Sequence, residues 1–313
     1  MTLGAATRPA AVPVLTLGAA LLLGLTACGG GGDPLAGDGG SSESAVETVT
    51  VGSADFPENE ILAQLYAGAL ESAGIQTETN LSIGSREAYV GAVQDGSIDV
   101  IPDYSGNLLL FADPEATASS AEEIMDALPE ALPGDLLVLE PAQAQNKDTL
   151  VVIPETAQQY ELESISDLAE VCDQLVLAAT PEFAERAYGL KGLEENYGCV
   201  PASFEPINDG GGPLTLQALL DGDVDVADIF STTPSIAEND LVVLEDPENN
   251  FIAQQVVPLT AQDRLPQEAV DALNDLSGKL TTEDLIGLNQ QVSGENPIST
   301  ADAAQQWLSA NGY

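Results

Sequence analysis

The sequence contains no histidine, and positive charge is scarce: seven lysine and arginine residues stand against 51 aspartate and glutamate residues. Without histidine, a catalytic serine lacks its usual general base, and no Gly-x-Ser-x-Gly turn is present. The net charge of −44 gives a surface that repels phosphate backbones. These absences exclude nucleic acid as a partner and leave little support for serine-based catalysis.

Long apolar runs are confined to the N-terminus. Residues 1–27 contain no acid, carry one apolar run and lead into Cys28 through small residues, which is typical of a lipoprotein signal peptide. A transmembrane helix is the alternative, but the run is short and is interrupted by Gly18 and Gly24. We predict cleavage before Cys28, lipidation of its thiol, a flexible linker over residues 28–47, and anchoring to the outer face of the cytoplasmic membrane.

Only two cysteines follow Cys28, namely Cys172 and Cys199. Outside the cytoplasm a disulfide between them is the expected state. A zinc site would need further ligands and finds no histidine, and a redox pair would more typically be Cys-x-x-Cys. We therefore predict a structural disulfide.

One sequence motif occurs twice in the chain, over residues 95–105 (DGSIDVIPDYS) and 221–231 (DGDVDVADIFS). Each copy follows an apolar-periodic stretch, so Gly96 and Gly222 are predicted to lie just past the end of a helix. A short strand rich in β-branched residues then follows. Equivalent pieces thus occur in two parts of the molecule.

Strand and helix patterns alternate from residue 48 onward, which is typical of an α/β fold. About 265 residues remain after the linker. A single hydrophobic core usually supports fewer residues than this, so two lobes are expected. We predict lobe 1 over residues 48–147 plus 251–313, and lobe 2 over residues 148–250. The main predicted elements are strands 49–53, 77–83, 136–139, 150–153, 175–179 and 241–244, and helices 58–73, 268–276, 282–292 and 300–308.

Ten short segments, in this order and spacing, resemble one known family. They are Gly52-Ser-Ala-Asp-Phe-Pro-Glu58, Gly84-Ser85, Gly96-x-Ile-Asp-x-x-x-Asp-Tyr104-Ser-Gly-Asn107, Pro181-Glu-Phe-x-x-Arg186, Gly189-Leu-Lys-Gly-Leu193, Tyr197-Gly198, Gly211-Gly-Pro-Leu-Thr215, Gly222-x-Val-Asp, Phe230-Ser-Thr232 and Leu241-Val-Val-Leu-Glu-Asp246. The chain is similar, over nearly all of residues 48–310, to the extracytoplasmic substrate-binding proteins of ABC transporters for glycine betaine, choline and carnitine.

The resemblance implies a two-lobed periplasmic-binding-protein fold of class II, with a ligand cleft between lobes joined by two crossing segments. It also implies a monomer without cofactor or metal, serving an ABC permease and an ATPase on separate chains. Ligands of this family carry a quaternary ammonium group in a cage of aromatic rings, with any carboxylate on basic or hydroxyl donors.

The aromatic residues at the ends of the repeated strands, Tyr104 and Phe230, are the candidate cage walls, since ligands bind at the carboxyl ends of strands in open α/β sheets. Packing in the core is the alternative. Phe230 occupies a position that is often tyrosine in the family, and Leu190 stands where another tyrosine is expected. Phe56 and Tyr188 are candidates to compensate.

Basic and polar side chains near the predicted cleft complete the candidate site. Arg86 and Arg186 could grip a carboxylate through two hydrogen bonds, although the end of a helix also explains Arg186. Lys147 is a further candidate, with a salt bridge in the crossing segment as the alternative. The remaining candidates are Ser53, Ser85, Ser105, Asn107, Ser231 and Thr232, where the serines also suit helix or turn caps.

Three hypotheses for function follow from these patterns. The leading one is a lipid-anchored receptor that captures a small solute and performs no chemistry. The second is an extracellular hydrolase that uses two of the many carboxylates, although no pair stands out. The third is a ligand-sensing receptor of the same fold that signals instead of transporting.

Overall fold

The computed structural model describes residues 48–294 and 296–313, and all of them belong to one compact unit. The predicted signal peptide, the linker and Cys28 lie outside the described residues. In the described part of the chain, no helix is both long enough and apolar enough to cross a membrane.

The described residues form two five-stranded sheets. The first, which we call the lobe 1 sheet, contains β1 (Val49–Gly52), β2 (Thr77–Asn80), β3 (Val100–Tyr104), β4 (Leu136–Val138) and β10 (Val256–Ala261), in the order β2-β1-β3-β10-β4. The second, the lobe 2 sheet, contains β5 (Leu150–Val152), β6 (Val176–Ala179), β7 (Ser203–Pro206), β8 (Val226–Asp228) and β9 (Val242–Val243), in the order β7-β6-β8-β5-β9.

Twelve helices cover the two sheets of the described residues. Their bounds are α1 (Pro57–Ser72), α2 (Arg86–Asp95), α3 (Ser105–Ala112), α4 (Ala121–Ala131), α5 (Pro154–Tyr160), α6 (Ile165–Ala169), α7 (Leu190–Tyr197), α8 (Pro213–Asp221), α9 (Ser235–Glu238), α10 (Gln267–Lys279), α11 (Thr282–Ser293) and α12 (Thr300–Ala310). The three C-terminal helices pack on α1 in lobe 1, as their apolar patterns led us to expect.

The repeated motif forms the same helix–turn–strand unit in each lobe. Helices α2 and α8 end at Gly96 and Gly222, which adopt left-handed conformations with φ of 78° and 74°. A side chain is strained in this region, so glycine suits both positions. Strands β3 and β8 follow, and each has one parallel and one antiparallel neighbour.

Two crossing segments join the lobes, as predicted. The first crossing segment (139–149) runs from β4 to β5, and the second (244–255) returns from β9 to β10. They lie side by side, with a backbone hydrogen bond from Asn146 to Gln254 and an antiparallel bridge between Gln145 and Gln255. Because β10 inserts between β3 and β4, the returning chain becomes part of the lobe 1 sheet.

The predicted disulfide is present in lobe 2. Cys172 and Cys199 are bonded, with their Cα atoms 5.4 Å apart, and both are buried in the lobe 2 core. The bond joins the turn before β6 to Cys199, two residues past the end of α7. It therefore holds helix α7 against the central sheet of that lobe.

Candidate functional site

A cavity lies between the lobes, beside the carboxyl ends of β3 and β8. It has a volume of about 80 Å³. A single water needs roughly 10–15 Å³ by this measure, so the space suits a small solute. Its lining comes from lobe 1 (Ala54, Asp55, Phe56, Ser85, Arg86, Tyr89, Tyr104, Asn107), the first crossing segment (Asn146, Asp148) and lobe 2 (Thr180, Glu182, Arg186, Asn208, Asp209, Gly210, Phe230).

Three aromatic rings meet in this cavity. Phe56 directly precedes α1, Tyr104 is the last residue of β3, and Phe230 follows β8. The Phe56 ring centroid lies 6.2 Å from that of Tyr104 and 5.5 Å from that of Phe230. Phe56 thus contacts both rings of the repeated motif. Of these three rings, lobe 1 contributes two and lobe 2 contributes one.

Tyr188 does not line the cavity. It packs edge-on against Phe183 and Phe251 in the lobe 2 core, with centroids 6.2 and 6.4 Å away, and is only 3% exposed. Its hydroxyl accepts a hydrogen bond from Arg186. A second tyrosine that lines the cavity besides Tyr104 is Tyr89 on α2, which was not among the candidate site residues from the sequence.

The two cavity arginines are held by different partners. Arg86 is buried and donates from Nε and Nη2 to Asp103, with the shortest distance 2.6 Å. Burial alone would lower the pKa of Arg86, but Asp103 raises it well above its usual value. Arg186 reaches from lobe 2 to Glu87 on α2 in lobe 1, with 3.3 Å between Nη2 and Oε2. That ion pair links the lobes beside the cavity.

The surroundings of Glu87 lower the pKa of its carboxyl group and so keep it charged. Its partial burial would raise the pKa, but a hydrogen bond with Ser85 and the charge of Arg186 lower it to about 2. The ion pair with Arg186 therefore persists throughout the ordinary pH range.

Cavity carboxylates are also engaged. Asp148 accepts a hydrogen bond of 2.8 Å from Asn107. It lies beside buried Asp228, whose pKa is raised well above its usual value by burial and by the charge of Asp148. Asp209 accepts from the backbone at the start of α8, including the amide of Leu214 at 2.6 Å. The carboxylate of Asp209 therefore occupies the helix start that follows the glycine loop 210–212.

Five candidate residues from the sequence lie outside the cavity lining, and the hydroxyls of the three serines among them bond to backbone groups instead. The Ser53 hydroxyl donates to the carbonyl of Ala54, and the Ser105 hydroxyl accepts from the amide of Gln255. These short side chains follow strands, where neighbouring backbone is within their reach. The others are Lys147, Ser231 and Thr232.

The backbone of Lys147 explains why its side chain is not part of the lining. Its amide donates to the Ser231 hydroxyl at 2.9 Å, and its carbonyl accepts from the Ser231 amide at 2.8 Å. The neighbours on either side, Asn146 and Asp148, line the cavity. Side chains alternate along an extended segment, so the sequence identified the right segment but the wrong face.

Comparisons with known proteins agree with this geometry. A family model described as the substrate binding domain of ABC-type glycine betaine transport systems matches residues 47–310. The chain is 27% identical over 283 residues to the glycine betaine-binding protein YehZ of Escherichia coli, a match that covers 86% of this chain and 92% of that protein.

Two further likenesses cover both lobes. The carnitine transport binding protein OpuCC of Listeria monocytogenes is 25% identical over 286 residues, which is 89% of this chain and 91% of that protein. A crystal structure of a glycine betaine/carnitine/choline ABC transporter superposes with a TM-score of 0.66 at 25% identity, covering 84% of this chain and 98% of that one. Because the family model spans both lobes and the cavity between them, the chain belongs to the family of substrate-binding domains of ABC-type glycine betaine transport systems.

Proposed function

We propose that the chain captures a small solute with a quaternary ammonium group, of the class of glycine betaine, carnitine or choline, and delivers it to an ABC permease. The observation that carries the proposal is the convergence of Phe56, Tyr104 and Phe230 in one interlobe cavity. A quaternary nitrogen cannot donate a hydrogen bond, so ring faces replace its water. Each good contact of this kind contributes about 0.5–2 kcal/mol.

The charges around the cavity support a cationic group. Four carboxylate side chains line it (Asp55, Asp148, Glu182 and Asp209), against two guanidinium groups. Both guanidinium groups are already paired with carboxylates outside the lining, Arg86 with Asp103 and Arg186 with Glu87. A cation is therefore favoured over a simple anion, because the surrounding charge is negative.

A carboxylate on the ligand would meet the two arginines. Asp103 takes Nε and Nη2 of Arg86, and Glu87 takes Nε and Nη2 of Arg186, so we assign the Nη1 groups of the two arginines to the ligand carboxylate. Glycine betaine and carnitine carry such a carboxylate, and choline does not. The relatives named for glycine betaine and for carnitine support the zwitterions as first candidates.

Capture would proceed by closure of the lobes about the crossing segments. Phe230 and Arg186 belong to lobe 2, whereas Phe56, Tyr104 and Arg86 belong to lobe 1, so one ligand would contact both lobes. We propose that the chain performs no catalysis, because Asp148 and Asp209 are committed to hydrogen bonds that hold the structure. ATP hydrolysis and translocation would be the work of separate chains.

We further propose that the chain is a monomeric lipoprotein on the outer face of the cytoplasmic membrane. Residues 1–27 would be the signal peptide, Cys28 the lipidated residue and residues 28–47 the linker, followed by lobe 1 (48–147 plus 251–313) and lobe 2 (148–250). The bond between Cys172 and Cys199 supports an oxidising compartment. Replacing Cys28 with alanine should release the protein from the membrane fraction, and unchanged anchoring would contradict the assignment.

A thermal-shift panel tests the ligand class. A ligand present at 100 times its Kd stabilises the folded chain by about 2.7 kcal/mol. We expect glycine betaine, carnitine or choline to raise the melting temperature, with glycine as the unmethylated control. If none of the methylated compounds shifts the transition, the assignment to quaternary amines is wrong.

A further inference from the structure

Glu58 is a buried carboxylate at the junction of four segments. It lies in the first turn of α1 and is 4% exposed. Its Oε1 accepts hydrogen bonds of 2.7 Å from the Tyr104 hydroxyl and from Asn146 Nδ2. Its Oε2 accepts from Asn289 Nδ2 at 2.6 Å and from the Thr232 hydroxyl. None of these four donors is a cation.

The donors come from distant parts of the fold. Tyr104 ends β3, Asn146 belongs to the first crossing segment, Asn289 lies on α11, and Thr232 belongs to the lobe 2 loop after β8. The second layer reinforces the link, since Asn146 Oδ1 accepts from the Ser231 hydroxyl at 3.3 Å and from the Thr232 amide at 3.4 Å. One carboxylate thus connects lobe 1, the crossing segment and lobe 2.

Each of the three rings that contact one another in the cavity is linked to this carboxylate, either along the chain or through a hydrogen bond. Phe56 lies two residues before Glu58, Tyr104 donates directly to it, and Phe230 lies two residues before Thr232. The three rings therefore rest on segments that the same side chain holds. No other described carboxylate is bonded to all three of these segments.

We propose that Glu58 is the positioning residue of the aromatic site, fixing the spacing of the three rings across the lobe boundary. The proposal rests on the function given above, because ring spacing matters most for a ligand that the rings surround. Attraction between a cation and a ring requires the cation within about 6 Å of the ring centre, so small shifts of one wall weaken the contact.

The chemistry of the site explains why a carboxylate is used. An ionised carboxylate has two acceptor oxygens, each able to take two hydrogen bonds. A glutamine has one such oxygen, and its amide nitrogen would face two of the present donors. Tyr104 remains a neutral donor, since burial and the charge of Glu58 raise its pKa well above the usual value.

Three variants test the proposal. Glu58→Gln removes two acceptor positions, and Thr232→Val removes only the lobe 2 donor while keeping the side-chain shape. The matched control is Asp99→Asn, since Asp99 is a lobe 1 carboxylate at 9% exposure, positioned before β3 and paired with Arg264 away from the rings. If Glu58→Gln fails to fold, Thr232→Val still decides.

The first readout does not depend on any ligand. Phenylalanine occurs six times in the chain, so fluorine NMR on protein labelled with fluorophenylalanine resolves few signals. We expect the signals of Phe56 and Phe230 to move in Glu58→Gln, and that of Phe230 to move in Thr232→Val. Both should stay unchanged in Asp99→Asn. Unmoved signals in both test variants, or equal movement in the control, would overturn the proposal whichever ligand binds.

The second readout is the preference for a quaternary over a tertiary amine. The ratio of Kd values for N,N-dimethylglycine and glycine betaine should fall about tenfold in Glu58→Gln, the equivalent of one good ring contact. Asp99→Asn should keep the wild-type ratio. A wild-type ratio in Glu58→Gln would show that the carboxylate only supports the fold. Absence of binding by the wild-type chain would instead count against the proposed function, and the NMR result would then decide on Glu58.

Discussion

Replacing Phe230 with alanine removes the ring that lobe 2 contributes to the cavity. This ring is half-buried and lies 5.5 Å from that of Phe56, centroid to centroid. In the proposed closed state it would lie against a ligand held on lobe 1. The substitution therefore tests both the identity of the ligand group and the contribution of the second lobe.

The size of the effect follows from a single cation–ring contact. Such a contact contributes about 0.5–2 kcal/mol, which corresponds to a Kd about 2- to 30-fold higher in the variant. The fold should suffer less than from loss of a core ring, which costs about 3–5 kcal/mol. We therefore expect weaker binding with a largely preserved melting temperature.

Isothermal titration with glycine betaine measures the effect, and Phe204→Ala is the matched control. Phe204 is another half-buried ring of lobe 2, on β7, which packs on the core and does not line the cavity. We expect it to leave Kd unchanged. Equal affinities for wild type and Phe230→Ala, or the same loss in both variants, would refute the reasoning.

Three further variants have predictable effects. Replacing both Cys172 and Cys199 with serine should lower the free energy of unfolding by about 3–4 kcal/mol, because the bond closes a loop with a separation of 27 residues; an unchanged urea midpoint would contradict this. The raised pKa of Asp228 means that its stabilising contribution is complete below its unfolded-state pKa and is lost as pH rises through its folded-state pKa. Asp228→Asn should therefore become more stable relative to wild type as pH rises. Melting temperatures of the two proteins that change with pH in parallel would contradict this prediction. Glu87→Gln should cost less than about 1 kcal/mol, because the ion pair with Arg186 is partly exposed, and should speed ligand release a few-fold in stopped-flow measurements; an unchanged rate would show that the pair does not hold the lobes closed.

Local patterns predicted much of the fold. Gly96 and Gly222 lie just past the ends of their helices, as the repeated motif predicted, and both adopt the left-handed conformation. The C-terminal helices begin and end within a few residues of the predicted bounds. These features depend on neighbouring residues, and periodicity and turn chemistry report on neighbours directly.

Strand β10 was not predicted, because its place depends on distant partners. Its residues follow a turn-rich stretch and include Pro258, which lacks a backbone donor and weakens a strand pattern. The strand exists because the second crossing segment delivers it between β3 and β4, with antiparallel pairing on both sides. Local sequence patterns do not predict a pairing between strands so far apart in the chain.

The cavity was predicted in part for the same reason. Tyr104, Phe230 and Phe56 were identified because strand ends and family motifs point to them, and all three line the cavity. The ion-pair partner of Arg86, by contrast, could not be predicted from local patterns. Asp103 lies 17 residues away along the chain, and only the tertiary fold brings the two side chains together. Asn146 was missed because the direction of side chains in a crossing segment is set by both lobes.

The central claim is that the cavity recognises a quaternary ammonium through its rings, and a carbon isostere tests this most directly. In 3,3-dimethylbutanoate a neutral tert-butyl group replaces the trimethylammonium of glycine betaine with nearly the same shape. Calorimetric titration should show that glycine betaine binds at least about tenfold more tightly, since three rings act on the cation. Equal affinity for the two compounds, or no binding of glycine betaine, carnitine or choline, would contradict the account.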